Sequence, residues 1–376
     1  MYLKAATTYS WLVAAVLVVA HAIGADAPQS ATHTPRAVDY PDVTPGYAIT
    51  FPEDEGSHPA FRTEWWYVTG WLRDRENRPL GFQVTFFRSR TGIGEENPSA
   101  FAPTQLLFAH AAISDPRRGA LLRVERTARA GFGLAEAAQG KLDVRIDDWS
   151  LRRQDDTYRA RIAADEFAFD LEFSSRQAPL LQGSNGFSRK GPNPRSASYY
   201  YSLPQLRARG SLSIDEQEYA VDGVAWFDHE WSSTIMDEEA AGWDWAGLSL
   251  DDGGAVMAFQ MRNRDGGEHW AAATWRSADS KQEEAVSFAP DEIEWLALRR
   301  WRSPRTGIEY PIEWQVRIGE RTLTLRPLMD DQENDARGST GTVYWEGAVR
   351  AFDESDQAIG RGYLELTGYG GKRVMR

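Results

Sequence analysis

Residues 223–245, reading GVAWFDHEWSSTIMDEEAAGWDW, set four titratable groups, Asp228, His229, Glu230 and Asp244, among Trp226, Phe227, Trp231, Trp243 and Trp245. Burial against aromatic rings raises a carboxyl pKa and lowers that of an imidazole, bringing either toward proton transfer near neutral pH. Such a set can donate a proton, hold a developing cation against ring faces and orient a water. The same residues can equally form a well-packed core. A second candidate is Glu64 in His58-Pro59-Ala60-Phe61-Arg62-Thr63-Glu64-Trp65-Trp66-Tyr67. It reads either as a carboxylate in a barrel mouth, paired with Arg62 or His58, or as a strand-entry ion pair over a tryptophan plug.

Several chemistries lack their residues. His229-Glu230 begins like the zinc-protease helix motif, but position 233 is Ser, so the second histidine is missing. There is no G-x-S-x-G elbow, and Gly370-Gly371-Lys372 lacks the context of a phosphate loop. The chain has no cysteine, which removes thiol catalysis and thiolate metal sites. Three imidazoles, His58, His110 and His229, are of the right type to hold zinc with an open position, but nothing in their spacing demands it, and the expectation is no metal and no cofactor. His110 alone, in an apolar strand, reads as a satisfied core histidine unless it meets His229.

The elements that must position these groups are strands. Trp66, Val68, Gly70 and Leu72 alternate with Trp65, Tyr67, Thr69 and Trp71; a polar turn over 73–79 follows, and Phe82, Val84 and Phe86 alternate again, which reads as a β-hairpin. Period-two runs recur at Leu142-Val144-Ile146, Phe167-Phe169-Leu171-Phe173, Trp314-Val316-Ile318 and Leu364-Leu366. The best helix candidate is short, 291–300. Many antiparallel strands with short turns predict an all-β protein of two barrels. Residues 179–198, rich in Gly, Pro, Asn and Ser and running into Tyr199-Tyr200-Tyr201, read as a lid over a pocket.

Residues 1–25 read as a signal peptide: Lys4, an apolar core over 11–20 and small-x-small sites near 20–27. Residues 26–47 read as a linker, 48–232 as a first domain and 233–376 as a second. The roughly 350 residues after the leader exceed one typical domain. Without disulfides, an exported chain of this kind must rest on large cores. A net charge of −13 argues against nucleic acid and anionic membrane surfaces as partners, and 15 Trp favour an apolar or neutral ligand.

The motifs HPAFRTEWWYVTG, AHAAISD, NGFSRKG before SYYYS, GVAWFDHEW, GWDWAGLSLDDG and GRGYLELTGY, in that order over about residues 50–370, resemble the carotenoid 1,2-hydratase-like, AttH-like family of lipocalin-like proteins. The resemblance implies two tandem lipocalin-like antiparallel β-barrels packed together, a hydrophobic ligand site, and relatives that hydrate isoprenoid double bonds. Its exported branch is described as predicted secreted hydrolases. A His-x-Trp pair important in the hydratases matches His229 and Trp231. Their aromatic-x-Asp pair falls near Phe259 and Met261, where this chain has no acid, which leaves Asp228 or Asp244 to supply the proton.

The expected function is therefore an exported protein that binds an isoprenoid or lipid and hydrates a carbon–carbon double bond. Asp228 and Asp244 are the candidate acids, His229 the base or orienter, and Glu64 a secondary acid. Trp226, Trp231, Trp243, Trp245, Trp66 and Tyr200 form the ligand wall. A non-catalytic periplasmic carrier beside a membrane transporter is the rival reading, and a hydrolase the third.

Overall fold

A computed structural model of the chain describes residues 38–99, 101–175, 177–278 and 285–371. The expected signal peptide and most of the expected linker lie outside the described residues. Residues 38–47 lie against the first sheet: Val43 is buried in its core, and the Thr44 amide donates to the Tyr199 hydroxyl at 3.0 Å.

The described residues form strands, turns and two short 3-10 turns, with no α-helix among them. The first sheet contains β1 (Thr63–Arg73), β2 (Pro79–Arg90), β3 (Gln105–Ser114), β4 (Leu122–Arg129), β5 (Ala135–Ala137), β6 (Asp143–Ile146), β7 (Trp149–Gln154), β8 (Thr157–Ala163), β9 (Phe167–Ser174), β10 (Leu180–Leu181), β11 (Phe187–Arg189), β12 (Ala197–Ile214) and β13 (Gln217–Thr234). Its order, β4-β3-β2-β1-β13-β12-β9-β8-β7-β6-β5, begins and ends on strands consecutive in sequence, so the sheet curls into a nearly closed barrel. The second sheet contains β14 (Ala240–Leu250), β15 (Ala255–Asn263), β16 (Glu268–Arg276), β17 (Ala285–Phe288), β18 (Ile293–Arg302), β19 (Glu309–Ile318), β20 (Arg321–Pro327), β21 (Glu333–Ala336), β22 (Thr342–Phe352) and β23 (Ala358–Leu366). All strand pairs are antiparallel, and the two-barrel all-β expectation holds.

Strand periodicity explains the three cores. Trp66, Val68 and Leu72 of β1, with Phe227 and Trp231 of β13, fill the first barrel. Ala246 and Leu248 of β14, with Leu364 and Leu366 of β23, fill the second. The alternate residues Tyr67, Trp71, Trp226, Trp245, Met257 and Tyr363 form a third core, where the outer faces of the two sheets meet. Strands at this junction are thus apolar on both sides, which is why their sequences read as near-continuous hydrophobic runs. Close approach of the sheets depends on Gly81, where a Cβ would come within 2.8 Å of Ala348 and of the Tyr363 hydroxyl. Polar contacts cross the junction as well: Trp71 Nε1 donates to the Gly362 carbonyl at 2.9 Å, and Ser114 Oγ donates to Gln332 Oε1 at 2.6 Å.

One local expectation is corrected. Residues 291–300 are not a helix: a 3-10 turn, Pro290–Glu292, leads into β18, where Trp295, Ala297 and Trp301 pack on the second core while Leu296 and Leu298 face outward. Packing at period two overrides the helical spacing. Residues 179–198, expected as a lid over a pocket, are held on the first sheet, where β10 and β11 pair with β12.

Candidate functional site

Strand β13 divides the titratable residues by parity. Trp226, Asp228 and Glu230 project toward the second sheet, whereas Phe227, His229 and Trp231 project into the first barrel. Between the sheets lies a cavity of about 420 Å³, within the range of roughly 300–1,000 Å³ common for small-molecule sites. Aromatic and apolar side chains line most of it: Trp65, Tyr67, Phe87, Tyr200, Trp243, Trp245, Phe259 and Met261. Asp228, Glu230, Glu346, Glu365 and Lys190 are charged groups set among them, and Arg62, Asp237 and Glu238 complete the charged lining.

Asp228 is fully enclosed. Its Oδ1 accepts from Trp226 Nε1 and Ser202 Oγ, and its Oδ2 accepts from the Tyr200 hydroxyl at 2.8 Å. Tyr200 in turn accepts from Trp245 Nε1 at 3.0 Å. Burial outweighs the three donors and, with the Glu230 charge nearby, raises the Asp228 carboxyl to about 7. Glu230 is matched by Lys190, whose Nζ lies 2.7 Å away and sits over the Tyr200 and Phe259 rings at 4.7 and 4.4 Å. Lys190 comes from the 179–198 segment, so that segment contributes a wall of the cavity.

Glu346 and Glu365 face one another directly across β22 and β23. Opposed residues share a face of the sheet, so two like charges meet in a site of low polarity. Burial pushes both carboxyls up; the Glu365 charge raises Glu346 further, and Glu230 and Asp244 add to the rise at Glu365. Trp243 Nε1 donates to Glu365 Oε2 at 3.2 Å. The Tyr67 and Tyr344 hydroxyls near Glu346 favour its ionised form without offsetting burial. Neither the Tyr67 hydroxyl nor Glu346 Oε1 has a hydrogen-bond partner of standard geometry among the described residues. The Tyr67 hydroxyl and the Glu346 carboxyl lie close to one another at one wall of the apolar cavity.

The other expected site residues lie elsewhere. His229 Nε2 is 3.0 Å from Glu64 Oε1, and its ring stacks on Trp66 inside the first barrel. Glu64 does not pair with Arg62. It accepts from the His58 backbone amide and Ser57, lies 2.7 Å from His58 Nδ1, and is bonded by Arg88 Nε at 2.8 Å. These partners outweigh burial and hold its carboxyl well below the usual range. Trp231 stacks on His58 at 3.9 Å within the same core. Asp244 projects to the opposite side of β14 from Trp243 and Trp245, where it accepts from Gln260, Arg262 and Tyr369. Trp226 packs behind the cavity and serves it through Asp228. Of the expected set, Asp228, Tyr200, Trp243 and Trp245 line the cavity; His229, Glu64, Asp244, Trp231, Trp66 and Trp226 do not.

His110 does not meet His229 or His58. It lies between Tyr344 and Ser339 of the second sheet at 2.8 Å each, and burial lowers its imidazole to about 3. The atoms of His58, Glu64 and His229 fall within 4.8 Å of one another. They fit a cation poorly, because both imidazoles already bond Glu64 and the Arg88 guanidinium places a fixed positive charge on its other oxygen.

Glu346, Glu365 and Lys190 are absent from the expected site, and Glu230, one of the titratable groups of 223–245, carries no assigned role in it. The signal for the first two is visible in retrospect as Tyr344-x-Glu346 and Tyr363-x-Glu365, aromatic-x-acid pairs in the middle of apolar strands.

Comparison with known proteins places this geometry. The sequence model of the AttH-like family matches residues 42–369. A crystal structure of a protein assigned as AttH from Nitrosomonas europaea is 47% identical over 88% of this chain and 99% of that one, with a TM-score of 0.81. Kievitone hydratase from Nectria haematococca is 15% identical over 90% of this chain and 98% of its own, with a TM-score of 0.67, a likeness of fold. A search of curated proteins finds no match.

Proposed function

This chain belongs to the AttH-like family of lipocalin-like proteins, and from that premise we propose that it binds an apolar, alkene-bearing small molecule between its sheets and adds water across the double bond. The carrying observation is the set of carboxyls with raised pKa, Asp228, Glu346 and Glu365, facing an aromatic cavity. Burial and the facing Glu365 push the Glu346 carboxyl up, toward its protonated form. It transfers its proton to one alkene carbon, and the π pair becomes the new C–H bond. The cation left on the other carbon lies against the faces of Trp65, Trp243 and Trp245. Water attacks that carbon, its surplus proton passes to Glu365 or Asp228, and transfer of a proton back to Glu346 restores the acid for the next turnover. The net change is alkene plus water to alcohol, and acid, base and water suffice. The Lys190–Glu230 pair sets the charge on one wall of the cavity. The likeness of fold to kievitone hydratase is consistent with this reading.

Export belongs to this proposal and is tested by finding the chain in the envelope fraction shortened at its N-terminus. For the reaction, the protein is incubated with a linear farnesyl alkene in ¹⁸O-water. The expected product carries one labelled hydroxyl, and Glu346→Gln lowers its formation by about 100-fold or more. A bound alkene recovered unchanged at every pH between 5 and 9 would replace the hydratase by a carrier.

A further inference from the structure

At the end of the first barrel where β2 and β4 finish and β3 begins, four large apolar side chains stand in solvent: Ile93 is 63% exposed, Phe101 64%, Phe132 53% and Leu134 46%. Phe101 and Phe132, from different loops, stack at 4.7 Å and 17°. The Arg129 guanidinium lies 5.4 and 5.2 Å from the two ring centres, with Nη1 donating to the Phe101 carbonyl at 2.6 Å. Its Nε has no partner, and among the described residues Arg129 forms no ion pair. Arg129 is half-buried at the end of β4, whereas Glu96, in the loop that carries Ile93 and Phe101, is exposed and forms no ion pair among the described residues. The tip thus offers one unpaired cation and one unpaired anion around an apolar cluster.

The same barrel end holds the mouth of the cavity. Arg62 and Thr63 at the start of β1, Ser89 near the end of β2, and Ser233 and Thr234 at the end of β13 line it there, and it reaches the surface beside the exposed Asn193 and Glu238. Ile93 follows Ser89 by four residues, at most roughly 14 Å of chain. The backbone ties the two features together, since the Arg90 amide donates to the Arg62 carbonyl at 2.8 Å and the Ala130 amide to the Gln105 carbonyl at 3.0 Å.

We propose that this tip seats on the surface of a zwitterionic lipid bilayer, with Ile93, Phe101, Phe132 and Leu134 among the acyl-chain ends, so that apolar ligand passes from lipid to the adjacent mouth. The headgroup match is chemical. A phosphate meets Arg129 and an ammonium meets Glu96, whereas the overall charge of −13 disfavours a strongly anionic surface. Scattered exposed apolar residues are ordinary, but a stacked pair with an unneutralised guanidinium beside a ligand cavity is a built surface.

The chain has no cysteine, so a single introduced one carries a single label. Full-length protein bearing an environment-sensitive dye at Ile93→Cys is mixed with phosphatidylcholine vesicles holding a nitroxide on the acyl chain. The dye is expected to shift to the blue and lose at least half its intensity. A dye at Leu296→Cys, exposed on the second sheet, is expected to do neither. Adding Phe101→Ser and Phe132→Ser, both surface changes, is expected to weaken the Ile93→Cys response tenfold or more. Equal quenching at both dye positions, no quenching at Ile93→Cys, or a response that requires phosphatidylglycerol overturns the proposal. A blue shift that grows with protein concentration without vesicles assigns the tip to a second copy and also overturns it. No turnover enters the readout, so failure of the hydratase reading leaves this test intact.

Discussion

Two buried clusters of ionisable groups lie on opposite faces of the same pair of strands, β1 and β13, and they are compensated in opposite ways. Inside the first barrel, Glu64 has Arg88, His58 and His229 around it, and its carboxyl is held low. Between the sheets, Asp228, Glu230, Glu346 and Glu365 share Lys190, which is already committed to Glu230, and the carboxyls of Asp228, Glu346 and Glu365 are pushed up. Burial alone therefore does not mark a reactive acid. A surplus of one charge sign in a space left open does, because the protein supplies no counter-charge and a proton must take its place.

The contrast breaks most easily at its extremes. Arg88→Met removes the one fixed positive charge beside Glu64, leaving only the two imidazoles to compensate it in the first core, and is expected to cost about 3–5 kcal/mol in urea unfolding. Glu346→Gln replaces a carboxyl already pushed toward its neutral form and is expected to change stability near pH 7 by about 1 kcal/mol or less while lowering turnover by about 100-fold or more. Similar stability losses for the two variants would erase the distinction. Trp231→Ala should likewise cost about 3–5 kcal/mol, yet leave ligand affinity in the folded fraction unchanged. Trp245→Ala should weaken binding of a fluorescent polyene by tenfold or more, about 1.4 kcal/mol.

His229→Ala sharpens the comparison further. It is expected to cost about 1–3 kcal/mol of stability through the lost bond to Glu64, with turnover falling less than threefold. A collapse of turnover with the melting temperature unchanged would return His229 to the reaction.

The smallest effects are in pH dependence. The depressed Glu64 carboxyl stabilises the fold above its unfolded pKa, and that contribution is lost as pH falls through the lower folded value. His58, raised by Asp54 and Glu64 against burial, contributes below its unfolded pKa and loses this as pH rises through the folded value. The cavity acids act in reverse: with folded pKa values raised, they weaken the fold as pH climbs from about 4.5 toward 7. Glu346→Gln should therefore raise the melting temperature at pH 8 by a few degrees and leave it unchanged at pH 4. An equal gain at both pH values would mean that Glu346 carries no uncompensated charge.

Much of the architecture was legible from alternation. The hairpin of β1 and β2 and the run of β9, Phe167-Phe169-Leu171-Phe173, fall where period two puts them, because a half-buried strand must alternate. Residues 291–300 misled because a short apolar run does not distinguish a strand from a helix until one face is packed. Within the site, the concentration of acids and tryptophans in 223–245 was visible, but half of that stretch points away from the cavity. Adjacent residues such as Asp228 and His229 share composition and burial yet face different cores, and only the register of β13 against β1 and β12 assigns them.

The sequence by itself determined that the protein is all-β, that it rests on large aromatic cores without disulfides, and which family it resembles, since periodicity, composition and ordered motifs are properties of the chain read locally. Only the tertiary structure decided which acids meet. Glu346 and Glu365 come together with Asp228 and Lys190 from positions far apart in the chain because two sheets pack outer face to outer face, and the proximity of unlike segments, with the charge imbalance it creates, is set by that packing.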